Sequence, residues 1–557
     1  MRSAWVSDMS ETFGDWLQYH YLSALLVACI ALAVLVAIAD GRFNPKRALS
    51  AESGASMGFA APLTRNAVFL LLLGIGLGLY FWLMLAWEDF TFYDAHIFFQ
   101  SLAGGPQYAP LQLFPSLGLL RPLSHQEFYP LSFLGNSAQV YQAFAAVEIV
   151  LAGYFLTRVY RVHRAITIAI CIAILLTPPI VSAAFHIVNS ERNILVLLCL
   201  FLWAALRYQQ SRRTGFLVVA SLASFVILQY KETAVVMMMA WACYLLAAAR
   251  LMKDLASADR RCFTLLAGAV IAGCAIWLAV YGIAILPQIE RSYLVGREHN
   301  PFEVLYVIVS HVWYAVLVGS ILCRLLLARR GVQISPIWDG LPVAAIASTA
   351  AYVKLGFFHD YYYSPAALLS WLYAGRIAEL AYVKTMGDRR LALVSVLAII
   401  AVLAAFQVGT SFWGVYAPWK ENVASKADAA RFIARFHDDR PADARRRPLR
   451  VVFPMNTSYE VAYFIGYLQA RFRVMDLEAG VGVVRRDKLE AETTQCVLWV
   501  PVICTYGLPA RHGDLVAFFG EQGKDLDTLM QEYRLVHVSP EIGFWPNDLR
   551  AYVFLAP

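Results

Sequence analysis

Of the 557 residues, 60% are hydrophobic and only 15% are charged, and mean hydropathy is +0.57. A soluble chain averages about 45–50% apolar residues and about 25% charged, so a string of ordinary soluble domains is excluded, although the length would hold about three or four. The net charge of +7 comes mostly from biased loops, described below, and gives no ground for expecting a nucleic acid partner.

Apolar blocks recur from Leu22 to Phe406, with charge collected in short bursts between them. A helix of about 20 apolar residues spans the hydrocarbon core. Only helices and closed barrels satisfy their backbone groups there, and the period-2 alternation of a barrel is absent. The sequence predicts about twelve transmembrane helices: 21–39, 66–87, 141–157, 165–185, 193–206, 216–230, 235–249, 264–286, 304–323, 340–357, 365–382 and 391–410. The short blocks 193–206 and 216–230 read as tilted or partly re-entrant. The first run follows Asp8, Glu11 and Asp15 rather than a basic segment, so it reads as a retained helix and not as a cleaved signal.

Lys and Arg orient these helices. One set of alternate loops carries twenty positive charges, among them Arg158, Arg161, Arg164, Arg324, Arg329 and Arg330. The opposite set, up to residue 410, carries seven: Arg2, Arg121, Arg192, Lys231, Arg291, Arg297 and Lys354. The positive-inside rule puts the first set in the cytoplasm, and with it an inner-membrane protein whose N-terminus and C-terminal region face outward, into the periplasm. Seven of the nine cysteines fall in or beside helices, where Cys is ordinarily a small buried hydrophobe. Cys496 and Cys504 are the pair in the outward region, where a disulfide is permitted.

The character changes after residue 410, which suggests a membrane domain over 1–410 and an outward α/β domain over 411–557. Within the latter, 420–450 reads as charged and helical and Leu449–Pro454 as a buried strand. A helix near 458–470, strands near 473–477 and 495–503, a helix near 523–533 and a strand near 551–555 follow. Alternating strands and helices imply a partly parallel sheet. No GxGxxG, P-loop or GxSxG is present.

The outward loops carry the chemistry. The large loop 88–140 opens on Trp87-Glu88-Asp89, with Asp94 close behind, and continues with Arg121, His125 and Glu127 in RPLSHQEF. Ionisable groups at a membrane edge default to a functional reading. The bland alternative is a solvated helix end in an aromatic belt. The next outward loops bring Glu191 and Arg192, then Lys231 and Glu232, then Arg291, Arg297, Glu298 and His299, and finally His359-Asp360 before Tyr361, Tyr362 and Tyr363. Singly, each cluster reads as an ion pair; their arrival on one face reads as an active site. Arg, Lys and His can bind a lipid-linked phosphate. A carboxylate can deprotonate an acceptor hydroxyl, and tyrosines can stack on a sugar or a polyprenyl chain. Lys231 is expected to pair with the adjacent Glu232 when no donor is bound.

The Glu88-Asp89 pair at the head of the first outward loop, the many helices and the outward C-terminal region resemble the GT-C superfamily of membrane glycosyltransferases. That superfamily includes aminoarabinose, arabinofuranosyl and protein mannosyltransferases. The acidic pair is in reverse order from the family's Asp-Glu, and an extra helix precedes the one that leads into it. The resemblance implies inverting transfer of a sugar from a polyprenyl-phosphate carrier to a hydroxyl acceptor on a lipid, glycan or protein. Asp89 would be the base, with Glu88 second. Asp94, Arg121, His125, Arg192, Lys231, His359 and Tyr361 are the substrate-binding candidates. Glu127, Glu191 and Glu232 either hold those cations or touch substrate. No cofactor is implied, although some members use a divalent metal, for which carboxylates are fitting ligands. A lipid-linked oligosaccharide polymerase or ligase shares the substrates and the cationic chemistry without needing the acidic pair. A twelve-helix transporter is the third reading; it would ordinarily show two similar halves and a mid-membrane site, and neither is evident.

Overall fold

The computed structural model describes residues 4–43, 67–90, 112–115, 118–135, 137–160, 164–252, 255–289, 306, 310–356, 359–384, 389–441, 444, 447–454, 458–482, 504–506, 510–519, 524–542 and 549–557. The chain divides into two compact units. The first comprises Met1–Gly74, Pro110–Gln126 and Ala145–Ser411; the second comprises Ile75–Ala109, Glu127–Phe144 and Phe412–Pro557. The boundary at Ser411 lies where the composition changes, and the second unit also takes in two segments from the first part of the chain.

Among the described residues six helices are long and apolar enough to cross a membrane: His20–Gly41, Ala138–Val159, Glu191–Ser211, Thr233–Leu251, Ser257–Gln288 and Val312–Arg329. A bent pair makes seven if counted as one span. The chain is a multi-pass membrane protein. Of the other predicted blocks, 66–87 corresponds to helix Ala67–Leu85, whose described apolar stretch is Gly74–Leu85, and 216–230 to the shorter helix Thr214–Ile227. The block 165–185 is not one helix. It breaks into Thr167–Leu175 and Pro178–Phe185, bent by 64°. The cause is local: Thr177 is extended (φ −73°, ψ 127°) and Pro178 starts the second arm. A proline disfavours helical backbone in the residue before it and offers no N–H to the preceding turn.

The first unit has one continuous apolar core. Thr233–Leu251 packs between Ser257–Ala284 and Pro336–Leu355. There the Trp241 indole donates to the Ile337 carbonyl at 3.2 Å. That contact needs Gly340, where a Cβ would lie 2.8 Å from the Trp241 ring. Helix Pro336–Leu355 is bounded as its sequence directs: the Ser335 hydroxyl accepts from the Ile337 N–H, Pro336 opens the first turn, and Gly356 closes the helix at φ 70°. Also in this unit is a small antiparallel hairpin, β1 (Gln112–Phe114) with β2 (Leu119–Arg121).

In the second unit strands β3 (Leu449–Pro454), β4 (Leu477–Gly482), β5 (Cys504–Tyr506), β6 (Leu515–Phe519), β7 (Arg534–Val538) and β8 (Ala551–Leu555) form a mixed sheet in the order β5-β4-β3-β6-β8-β7. The pairs β3–β4, β4–β5 and β3–β6 are parallel, and β6–β8 and β7–β8 antiparallel. The buried run LRVVFP takes a central position, as a strand covered on both faces should. Helix Ser458–Phe472 ends at Arg473, whose φ of 58° takes the chain out of the helix. Strand therefore begins at Leu477 rather than at 473. The predicted strand 495–503, Cys496 and the side chain of Cys504 lie outside the described residues.

Candidate functional site

In the first unit Arg121, Arg192 and Lys231 each meet a carboxylate. The β1–β2 hairpin turns at Gly118, which has φ 74° and whose carbonyl accepts from Tyr281 at 3.0 Å. Its last residue, Arg121, is thereby placed where Nε meets both Glu232 oxygens at 2.9 and 3.0 Å. Glu232 also accepts the Leu120 N–H at 3.0 Å, and the Leu123 N–H bonds the Gln229 carbonyl at 3.1 Å. The break between helices Thr214–Ile227 and Thr233–Leu251 is thus stitched to the hairpin. Lys231, in that break, pairs with Glu191 at 2.8 Å and lies over the Tyr362 ring at 4.8 Å. The expected Lys231–Glu232 pair is not what forms. Successive residues of a helical turn point in different directions, so the two side chains diverge to Glu191 and Arg121. Glu191 opens its helix, an end that favours negative charge.

Arg192 and His125 are held by protein groups in this arrangement. The Arg192 side chain is fully buried, with Nε on Glu148 at 2.7 Å and one terminal nitrogen on the Ile187 carbonyl at 2.6 Å. His125 donates from Nε2 to the Val188 carbonyl. Its Nδ1 lies 3.2 Å from the Ser124 hydroxyl, which therefore donates to it. Burial holds this imidazole near pKa 3, aided by Arg192, Lys231 and Arg121 and opposed by the bond to Val188. His125 is therefore neutral. It locks the first loop to the segment before Glu191, with its backbone at φ 67°.

Beside these pairs stands an aromatic wall. Tyr352 and Tyr362 stack at 5.0 Å, Tyr361 lies 4.2 Å from Tyr362, and His359 is parallel to Tyr361 at 5.7 Å. His311 pairs with Asp360 at 3.6 Å. Burial keeps His311 below its ordinary pKa and raises Asp360, each opposed by the other's charge.

The acidic pair belongs to the second unit, and its two carboxylates have separate fates. Glu88 forms an ion pair with Lys420, both side chains fully out of water, and Lys420 also donates to the Met84 carbonyl at 2.9 Å. Burial lifts the Glu88 carboxyl to about 7 against the pull of Lys420. Asp89 is only half-buried. Its Oδ1 accepts from the Tyr467 hydroxyl at 2.9 Å and from the Phe90 N–H at 2.7 Å. No partner meets Oδ2 among the described residues. Glu127, also in this unit, precedes helix Phe128–Ser132 and accepts the Leu131 N–H on its backbone carbonyl. Asp94, Arg291, Arg297, Glu298 and His299 lie outside the described residues.

Sequence reading missed Lys420, Tyr467 and Glu148. Lys420 carries a faint signal, a lone cation beside Trp419 just after an apolar helix. Glu148 is a carboxylate inside an apolar block, which itself asks for a partner. Nothing local marks Tyr467. Among the described residues no three His, Cys, Asp or Glu groups converge on a metal position.

No family model and no curated protein matches this chain. Among solved structures it is similar to ArnT from Cupriavidus metallidurans bound to undecaprenyl phosphate: 14% identity and a TM-score of 0.49, over 87% of this chain and 98% of that one. It is also similar to the Archaeoglobus fulgidus oligosaccharyltransferase in complex with zinc and sulfate, at 12% identity and 0.42, over 71% of this chain and 61% of that one. A third similarity is to the arabinofuranosyltransferase AftD from Mycobacteria, at 12% identity and 0.40, over 87% of this chain and 41% of that one.

Proposed function

We propose that the protein is a membrane glycosyltransferase that moves a sugar from a polyprenyl-phosphate carrier to a hydroxyl acceptor on the outward membrane face. The observation that carries this reading is the division of labour in the acidic pair. Glu88 is consumed by a buried lysine, whereas Asp89 is held by one oxygen and keeps the other available. A half-buried carboxylate oriented by a hydroxyl and a backbone N–H is suited to accept a proton.

In the reaction the acceptor oxygen attacks the anomeric carbon as its proton passes to Asp89. The carbon–oxygen bond to the carrier phosphate breaks, polyprenyl phosphate leaves with the bonding electrons, and the anomeric centre inverts. Within the first unit Arg121 and Lys231 are the cations suited to a carrier phosphate, Arg121 with its fork and Lys231 as a point charge. These cations are paired with Glu232 and Glu191, so donor binding would exchange carboxylate for phosphate. Arg192 and His125 position the loops, and Tyr361 and Tyr362 offer apolar ring faces to the sugar or the first isoprene units. No cofactor enters this scheme.

Purified protein incubated with radiolabelled polyprenyl-phosphate sugars and a hydroxyl acceptor should transfer label with inversion, read by the anomeric signal of the product. Transfer of whole oligosaccharide units instead of single sugars would favour the polymerase or ligase reading. Uptake into vesicles without transfer would favour the transporter.

A further inference from the structure

Helix Val312–Arg329 turns one face toward a cleft of about 530 Å³ within the first unit. Gly319 and Cys323 line it from this helix, Ala374 and Ala378 from Ser364–Lys384, and Ile400 from Arg389–Ser411. The spacing on each helix is that of a single face. Gly319, Ala374 and Ala378 are small residues of its wall. A Cβ built on Gly319 would meet no atom within 4 Å, so this glycine does not serve a close helix contact; it leaves space open. From Ala315 to Arg330 the lining covers fifteen steps of helix, about 22 Å at ~1.5 Å per residue. That exceeds the ~15 Å hydrocarbon depth of one leaflet, and suits an extended chain better than a compact ligand.

The polar end of the cleft is specific. Among its lining residues Arg330 alone is charged; it is exposed, and among the described residues no carboxylate is paired with it. Arg324, on the same helix, is spent: it forks onto Asp339 at 3.0 to 3.2 Å and donates to the Val332 carbonyl. Arg330 therefore presents an exposed guanidinium where the apolar cleft ends. His311, at the opposite end of this helix, belongs to the aromatic wall. The eighteen residues between make nineteen steps and place Arg330 about 28 Å from it, so a phosphate on Arg330 is not the donor phosphate proposed above. Arg330 falls in the loop set that reads as cytoplasmic, and that leaflet is the one rich in anionic lipid.

We propose that this cleft is a binding site for an anionic phospholipid of the cytoplasmic leaflet, with an acyl chain along Gly319 and Cys323 and the phosphate on Arg330. The inference rests on the membrane fold and not on the glycosyltransferase reading.

Cys323 lies in the cleft wall and reports on occupancy. Full-length protein is reconstituted in phosphatidylcholine, with or without phosphatidylglycerol, and maleimide labelling of Cys323 is followed by peptide mass spectrometry. Phosphatidylglycerol should slow labelling by about tenfold, the order of one charge-assisted contact, and Arg330→Gln should remove that difference. Native mass spectrometry of the extracted protein should show retained phosphatidylglycerol in the wild type and its loss in Gly319→Phe and Arg330→Gln. Equal protection by phosphatidylcholine alone would reduce the cleft to ordinary boundary lipid and overturn the proposal. Protection by added polyprenyl phosphate that survives Arg330→Gln would also overturn it, by making the cleft a seat for an isoprenoid tail.

Discussion

Lys420 and Glu88 are 332 residues apart in sequence and form an ion pair in which neither side chain reaches water. Removing one partner of such a pair leaves an uncompensated buried charge and costs about 3–5 kcal/mol. Lys420→Met should accordingly lower the melting temperature in detergent sharply at pH 8. The loss should be smaller near pH 5, because the Glu88 carboxyl, lifted to about 7 by burial, can take a proton there. The sign in the intact protein follows from linkage. A carboxyl whose folded pKa lies above its unfolded value of 4.5 contributes most stability at low pH. That contribution declines as pH rises through the window from 4.5 to about 7. Glu88→Gln should lack the decline. A pH-independent stability difference between wild type and Glu88→Gln would contradict this account of the pair.

Asp89→Asn keeps the side-chain shape and the acceptor oxygen facing Tyr467 but removes the basicity. Turnover should fall by roughly 10²–10⁴-fold with donor affinity retained. Tyr467→Phe removes only the hydroxyl that orients Asp89, so it should lower kcat by a smaller factor and leave the donor KM unchanged. Full turnover in Asp89→Asn would move the base elsewhere, with Asp94 and Glu127 the next carboxylates of that loop.

The helices were legible because apolar blocks of membrane length have few alternatives. The Thr177 break was also written in the chain as Thr-Pro-Pro, yet continuous hydropathy across it hid a 64° bend. The outward ionisable residues stood out for the same reason as the helices, being charges set against an apolar background. Their partners did not. Lys231 and Glu232 are adjacent, and adjacency suggested a pair, but the geometry of a helix start sends them to Glu191 and Arg121. Lys420 lay in a stretch rich in charge, where Lys426 is buried too, and only its place beside Trp419 after an apolar helix sets it apart. Pairings across hundreds of residues depend on tertiary contacts that composition and spacing do not encode.

Arg192 is predicted to act on stability rather than on substrate. Its guanidinium is wholly buried and bound to Glu148 and two carbonyls. Arg192→Ala should lower the melting temperature and the yield of monodisperse protein. In the protein that does fold, the donor KM should stay near the wild-type value. A folded, stable Arg192→Ala with a greatly raised donor KM would return this residue to the phosphate site.

The twenty-to-seven loop charge count predicts the orientation of the whole chain. Reporter fusions after Arg213 and Arg330 should read cytoplasmic. Fusions after Tyr363 and at Pro557 should read outward. A cytoplasmic reading at Pro557 would put Glu88-Asp89 and the cation cluster on the wrong side for an outward-facing transfer.

Donor binding by exchange of ion-pair partners makes a prediction that a purely structural role does not. Arg121 and Glu232 are each about one-fifth exposed, at 19% and 20%, so the pair is accessible where the Arg192 pair is not. If the carrier phosphate takes Arg121 from Glu232, the carboxylate is a competitor for the ligand. Arg121→Gln and Lys231→Ala should each raise the donor KM by about ten-fold or more, the scale of one hydrogen bond to a charged group, with a lesser effect on kcat. Glu232→Gln removes the competing charge and keeps the shape, so it should lower the donor KM while slightly lowering the melting temperature. A structural ion pair predicts the opposite for that variant: Arg121 loses its anchor and donor binding weakens. Measuring the donor KM of Glu232→Gln against wild type at low and high salt separates the two. An exchange site gains affinity most at low ionic strength, where the released guanidinium is least screened. A Glu232→Gln protein that binds donor more weakly than wild type at every salt concentration would exclude the exchange and leave Arg121 as scaffold.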